Sequence, residues 1–202
     1  MKERGMLFNG EMVRAILDGR KTLTRRPVKN VGGDNCLITK HATKTKTGLR
    51  VHVIDSISLC PYGVVGDRIW VRETHVVGVS TKTGVGYKAT SKWEDFEDGT
   101  PNDFAGINWI PSIHMPRWSS RITLEITDVR VERVRDISEE EARSEGFQSE
   151  GWSPSFNDPC NSGGADSASA REKFFETWSA IYPGSWECND WVWVIEFKRL
   201  EE

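Results

Sequence analysis

From Ile122 to Val134 the chain alternates: Ile122, Leu124, Ile126, Val129, Val131 and Val134 are separated by polar residues. A period of two is that of a half-buried strand, not of a helix. The alternation changes phase once, near Thr127-Asp128, which predicts a β-bulge. A second run, Trp191-Val-Trp-Val-Ile-Glu-Phe, predicts a terminal strand. Helical patterns are fewer and shorter. Met12, Val13, Ile16 and Leu17 fall at helical spacing. Ser138-Glu-Glu-Glu141 reads as a capping box that opens a short helix stopping at Gly146. Ala170 to Ile181 predicts an amphipathic helix with Phe174, Phe175, Trp178 and Ile181 on one face, and its aromatic residues in the core. Many short strands and few helices predict an α+β, mainly-β fold: a small, partly closed β-barrel with peripheral helices and long inserted loops.

The remaining punctuation fits this frame. Met6-Leu7-Phe8 is a short apolar run, a strand or the lead-in to the first helix. Gly66-Asp67 is a turn entering a strand, in which buried Ile69 and Val71 leave Trp70 and Arg72 together on the other face. Val76 to Tyr87 predicts a hairpin turning near Gly84, and Ser91 to Asn108 an inserted loop. His41 to Gly48 reads as a hairpin tip or mobile insertion, and Gly151 to Ser169 as a flexible connection. With neither repeat nor linker, residues 1–202 are expected to form a single domain.

A net charge of -3 carries no global polyanion-binding signature, so any nucleic-acid site has to be a local basic patch. Nine tryptophans supply rings for a core or for stacking on bases. Cys36, Cys60, Cys160 and Cys188 form no C-x-x-C pair, and His41, His52, His75 and His114 lack metal-ligand spacing; no metal and no cofactor are expected. Cys60 and Cys188 read as packed thiols. No apolar run approaches membrane-spanning length and no signal segment is evident, so a soluble, cytoplasmic protein with reduced thiols is expected.

The patch is Gly19-Arg20-Lys21-Thr22-Leu23-Thr24-Arg25-Arg26-Pro27. Gly19 ends the preceding helix, and Pro27 biases Arg26 towards extended backbone. In a strand from Leu23, Thr24 and Arg26 point to one side, with Lys21 projecting from the turn beside them. The spacing alone leaves two readings open: a convergent hydroxyl, ammonium and guanidinium, or a solvated basic loop.

Leu17-Asp-Gly-Arg-Lys21-Thr-Leu-Thr24-Arg-Arg26 resembles the opening motif of ASCH-domain proteins. Gly66-Asp-Arg-Ile-Trp-Val-Arg-Glu73 resembles their Gly-Asp turn and strand, and the helix from Ser138 to Gly146 and the strand Val192 to Lys198 are similar to later family blocks. With His114-Met-Pro-Arg-Trp-Ser-Ser-Arg121, the order is most similar to ASCH proteins of bacteriophages and prophages, which places the expected compartment in a bacterial host cell. The resemblance implies a PUA-like barrel. Small bacterial members with the same first motif hydrolyse the amide of N4-acetylcytidine, and other ASCH proteins have been described as ribonucleases. Carried over, their implicated residues fall on Lys21, Thr24, Arg26 and Glu145. This chain is longer, with insertions near residues 29–60, 75–110 and 147–168, and Arg25 stands where those enzymes carry an apolar residue.

Under that resemblance Lys21, Thr24 and Glu145 are the catalytic candidates, with Thr24 attacking, Lys21 as base and Glu145 positioning. Arg26, Arg25, Trp70, Arg72, Glu73, Arg117 and Trp118 are the substrate-binding candidates. Glu73 is as well an ion-pair candidate, and the tryptophans are packing candidates. The expected ligand is a nucleoside or single-stranded RNA, bound by a monomer or dimer. Competing expectations are a phage RNA-binding or modified-nucleotide-binding module without chemistry, and an assembly factor with an exposed apolar patch.

Overall fold

The alternating segment forms the longest strand of a five-stranded sheet. In this computed structural model the described residues are 1–28, 60–79, 83–91, 107–148 and 169–200, with two short strand pairs, Val31–Gly32 with Cys36–Leu37 and Thr43–Thr45 with Gly48–Arg50. The sheet contains β1 (Glu3–Leu7), β2 (Leu23–Pro27), β3 (Arg68–Arg72), β6 (Thr123–Arg133) and β7 (Trp191–Leu200). A separate hairpin pairs β4 (His75–Val77) with β5 (Val85–Tyr87). The helices are α1 (Gly10–Leu17), α2 (Glu139–Ser144) and α3 (Ala170–Ile181).

The sheet order is β1-β3-β6-β7-β2, parallel only between β1 and β3. The β6–β7 register slips between Ile126 and Asp128, where the alternation changes phase. The fold is α+β and mainly β. Among the described residues the sheet is open: its edge strands β1 and β2 are not paired with each other. A side chain spans them instead, since Arg26 Nη2 donates to the Leu7 carbonyl at 2.7 Å.

Each face of the sheet carries its own apolar cluster. On one, Ile69, Val71, Leu124, Ile126, Trp193, Ile195 and Phe197 pack with Val13 and Ile16 of α1. On the other, Leu23, Val192 and Val194 pack with Ala142 of α2 and with Phe174 and Trp178 of α3. Phe175 and Ile181, expected beside Phe174 and Trp178, are exposed, because positions 174 and 178 lie one turn apart while 175 is rotated by about 100°. Phe175 lies against Trp186 instead, with ring centroids 5.0 Å apart. Cys60 is buried as expected, but Cys188 is exposed. The chain leaves β6 into a short 3₁₀ turn at Val134–Asp136, and Val134 remains buried.

Caps fix the helix ends. Asn9 accepts the Met12 N–H, and both α2 and α3 open with reciprocal capping boxes, Ser138 with Glu141 and Ser169 with Glu172. Glu139 ties α2 to α3 by accepting the Ala170 and Arg171 N–H groups, each at 3.0 Å. The Ser91–Asn108 loop and the Gly151–Ser169 connection fall almost wholly outside the described residues.

Candidate functional site

The centre of the basic stretch is buried, although Arg20, Thr22 and Arg26 are not. Lys21 is 2% exposed, Thr24 0%, Arg25 1% and Glu145 3%. The loop between α1 and β2 meets the end of α2, and Thr22 N–H donates to the Ser144 carbonyl at 2.9 Å. Gly146 permits the approach: it holds φ +100°, and a Cβ there would lie 2.9 Å from Ala15 Cβ and 3.4 Å from Lys21 Cβ.

The Lys21 ammonium has three acceptors: Leu23 O at 2.8 Å, Glu145 O at 2.8 Å and Glu145 Oε2 at 2.5 Å. Its place at the carboxyl end of α2 suits the helix dipole. Burial pushes the Lys21 pKa down; Glu145 pulls it back up, Arg26 and Arg25 push it further down, and the net direction is below the ordinary lysine value. The free amine is therefore formed at lower pH than in water.

Arg25 lies on the α3 side of β2, 6.0 Å from the Phe174 ring centroid. Its Nη2 is 3.1 Å from Glu141 Oε2 and 3.2 Å from Glu132 Oε2, and its Nη1 is 3.9 Å from Glu145 Oε1. Arg130 extends the network to Glu132, Glu141, Asp128 and Glu196. Four buried polar atoms in this region lack a hydrogen bond among the described residues: Thr24 Oγ1, Arg25 Nε, Arg25 Nη1 and Glu145 Oε1. A buried hydroxyl without a partner costs free energy, and such groups in native proteins call for a functional account.

Thr24 and Arg26 face the other way. They pair with Ile195 and Trp193, on the α1 side of the sheet. Arg26 lies 5.5 Å from the Phe8 ring centroid and lines a cleft of about 650 Å³. Glu73 and Tyr182 line the same cleft. Such a volume lies within the range of small-ligand sites. Thr24 sits two residues along the same face, about 7 Å from Arg26 by strand geometry.

The structure thus joins Lys21, Glu145 and Arg25 in one buried network and places Arg26 and Glu73 in the cleft. Thr24 is buried on the opposite face of β2 from Arg25, and is hydrogen-bonded to neither group among the described residues. Glu73 is held from behind by Arg121 through two 3.0 Å bonds. The other candidates are engaged elsewhere. The Trp70 ring packs on Gly5, where a Cβ would lie 2.6 Å from it, and under Arg72 at 5.4 Å. Arg72 donates to the Ser112 and Ile113 carbonyls. Arg117 is bonded to Glu3 at 3.0 Å and to Thr123 at 3.3 Å. Trp118 is 70% exposed and does not line the cleft.

Residue patterns did not single out Arg130, Glu132 or Lys88. Alternation in β6 puts Arg130 and Glu132 on the face opposite Val129 and Val131, and that signal was available. Glu141 was legible only as a cap. No model of a protein family, no curated protein and no solved structure matches this chain. Among the described residues no helix is long and apolar enough to cross a membrane.

Proposed function

We propose that this chain is a nucleoside- or RNA-directed hydrolase of the PUA-like ASCH type, cleaving the amide of an N4-acylated cytosine. The observation that carries the reading is the buried, unpartnered Thr24 hydroxyl, one peptide from the carbonyl that receives the Lys21 ammonium. A threonine hydroxyl attacks only when a base takes its proton. Lys21 as free amine fills that role, and its lowered pKa favours it.

In this reaction Thr24 Oγ1 forms a bond to the acyl carbon and its proton passes to Lys21. The C–N4 bond then breaks, with that proton returned to N4, and cytidine leaves. Water, deprotonated by the same amine, releases the acyl group as a carboxylic acid and restores the hydroxyl. Glu145 holds the Lys21 ammonium in place between steps. Arg26, which lines the cleft and donates to the Leu7 carbonyl, is the residue assigned to hold the oxyanion in this reaction.

The test is incubation of the purified protein with N4-acetylcytidine and chromatographic detection of cytidine. Release by wild type, and none by Thr24→Val with the fold intact, supports the proposal. No release by wild type overturns it, and salt-dependent binding or cleavage of single-stranded RNA then becomes the reading to pursue.

A further inference from the structure

The cleft beside Arg26 has a charge distribution that the amide chemistry does not use. Two of its cations line the same stretch of wall: Arg14 Nη1 donates to the Ala89 carbonyl at 3.0 Å, and Lys88 precedes Ala89 in the chain. The segment after β5 is held in place by Lys88 N–H on the Thr74 carbonyl at 3.0 Å, so the two cations sit on fixed backbone. Neither is ion-paired among the described residues, and the Lys88 side chain has no partner there. Elsewhere Arg4, Arg25, Arg117, Arg121 and Arg130 each face a carboxylate.

The cleft's two carboxylates do not cancel this charge. Glu73 has both oxygens occupied by Arg121. Glu11 remains, set against Arg14, Arg26 and Lys88, so the lining carries an excess of positive charge. Two cations without a counter-ion that line one cleft favour a dianionic group there, which accepts charge-assisted hydrogen bonds. Apolar and aromatic wall is present as well, in Leu7, which is exposed, and Tyr182.

We propose that this cleft takes a phosphorylated ligand, a nucleotide rather than a free nucleoside, with the phosphate held by Arg14 and Lys88 and the base against the Leu7–Tyr182 wall. The inference rests on the hydrolase reading only for the identity of the base. Phosphate recognition stands on the cleft itself and is tested by binding, without turnover.

The experiment is isothermal titration of the full chain with cytidine 5′-monophosphate, cytidine and inorganic phosphate, at low and at moderate salt. The monophosphate is expected to bind at least about tenfold tighter than cytidine, as one lost charge-assisted contact is worth about that factor. Inorganic phosphate should bind more weakly than the monophosphate. Lys88→Glu should abolish the preference for the monophosphate over cytidine, and Lys88→Arg should retain it. Lys88 is exposed, so these variants are expected to fold. Equal binding of cytidine and its monophosphate overturns the proposal, as does a preference that survives in Lys88→Glu. Inorganic phosphate binding as tightly as the monophosphate overturns the nucleotide assignment. Failure to hydrolyse N4-acetylcytidine leaves all of these outcomes readable.

Discussion

Thr24→Val exchanges a hydroxyl for a methyl of nearly the same shape at a position with no exposure. In an ordinary core such a change loses a hydrogen bond. Here Thr24 Oγ1 has none among the described residues, so nothing is broken. A buried hydroxyl without a partner costs roughly 1–3 kcal/mol, and the added methyl gains somewhat less than about 1 kcal/mol of burial. Valine is as good a strand former as threonine. After allowance for imperfect fit, Thr24→Val is expected to be more stable than wild type by about 1–2 kcal/mol. For a chain of this size that is a rise in Tm of roughly 2–8 °C. Urea and thermal unfolding, followed by circular dichroism and tryptophan fluorescence, measure it. The same variant should release no cytidine from N4-acetylcytidine. Higher stability with lost activity is the signature of a group kept for chemistry. A loss of 1 kcal/mol or more would show that the hydroxyl is a structural donor, and retained hydrolysis would show that it is not the nucleophile.

Lys21→Met should be costly, about 3–5 kcal/mol, because it strands the Glu145 carboxylate in the interior; Lys21→Met with Glu145→Gln should recover much of that in a double-mutant cycle, and additive losses would contradict a coupled pair. Gly146→Ala places a Cβ 2.9 Å from Ala15 Cβ at φ +100°, and urea denaturation should show a loss of about 2 kcal/mol or more; an unchanged midpoint would mean that the two helix ends can part freely. Asp67 has its pKa lowered, first by the Lys2 backbone N–H and then by Arg4 against the opposing effect of burial. A carboxylate with a depressed folded pKa contributes stability above its ordinary value of 3.8 and loses it as pH falls through the lowered one. Asp67→Asn should therefore flatten the stability profile below about pH 4, as measured by urea midpoints from pH 7 to pH 2.5; a profile as steep as that of wild type would contradict this.

The sheet was legible because its information is local. Ile122 to Val134 and Trp191 to Phe197 alternate, and even the bulge near Thr127-Asp128 showed as a phase shift. The capping box at Ser138 and the stop at Gly146 were equally local. The split roles of Phe174 and Phe175 were less so, since a helix face is only as wide as what covers it, and Phe175 stays exposed beside Trp186 of a later segment. The basic stretch shows the limit. Strand parity placed Thr24 and Arg26 on one face, but nothing in Lys21 to Arg26 says that Glu145, Glu141 and Glu132 come to meet Lys21 and Arg25. Those contacts span more than a hundred residues and depend on where β6 and α2 come to lie. Lys88 gave no signal either, because its distinction is a cleft that it shares with Arg14, whose guanidinium is bonded to the Ala89 carbonyl.

The measurement that decides whether this network performs chemistry is turnover of N4-acetylcytidine by wild type and by Thr24→Val, run beside their unfolding curves. The account expects cytidine from wild type, none from the variant, and the variant unfolding at higher temperature. Wild type that releases no cytidine, or a Thr24→Val variant that releases it at the wild-type rate, contradicts it.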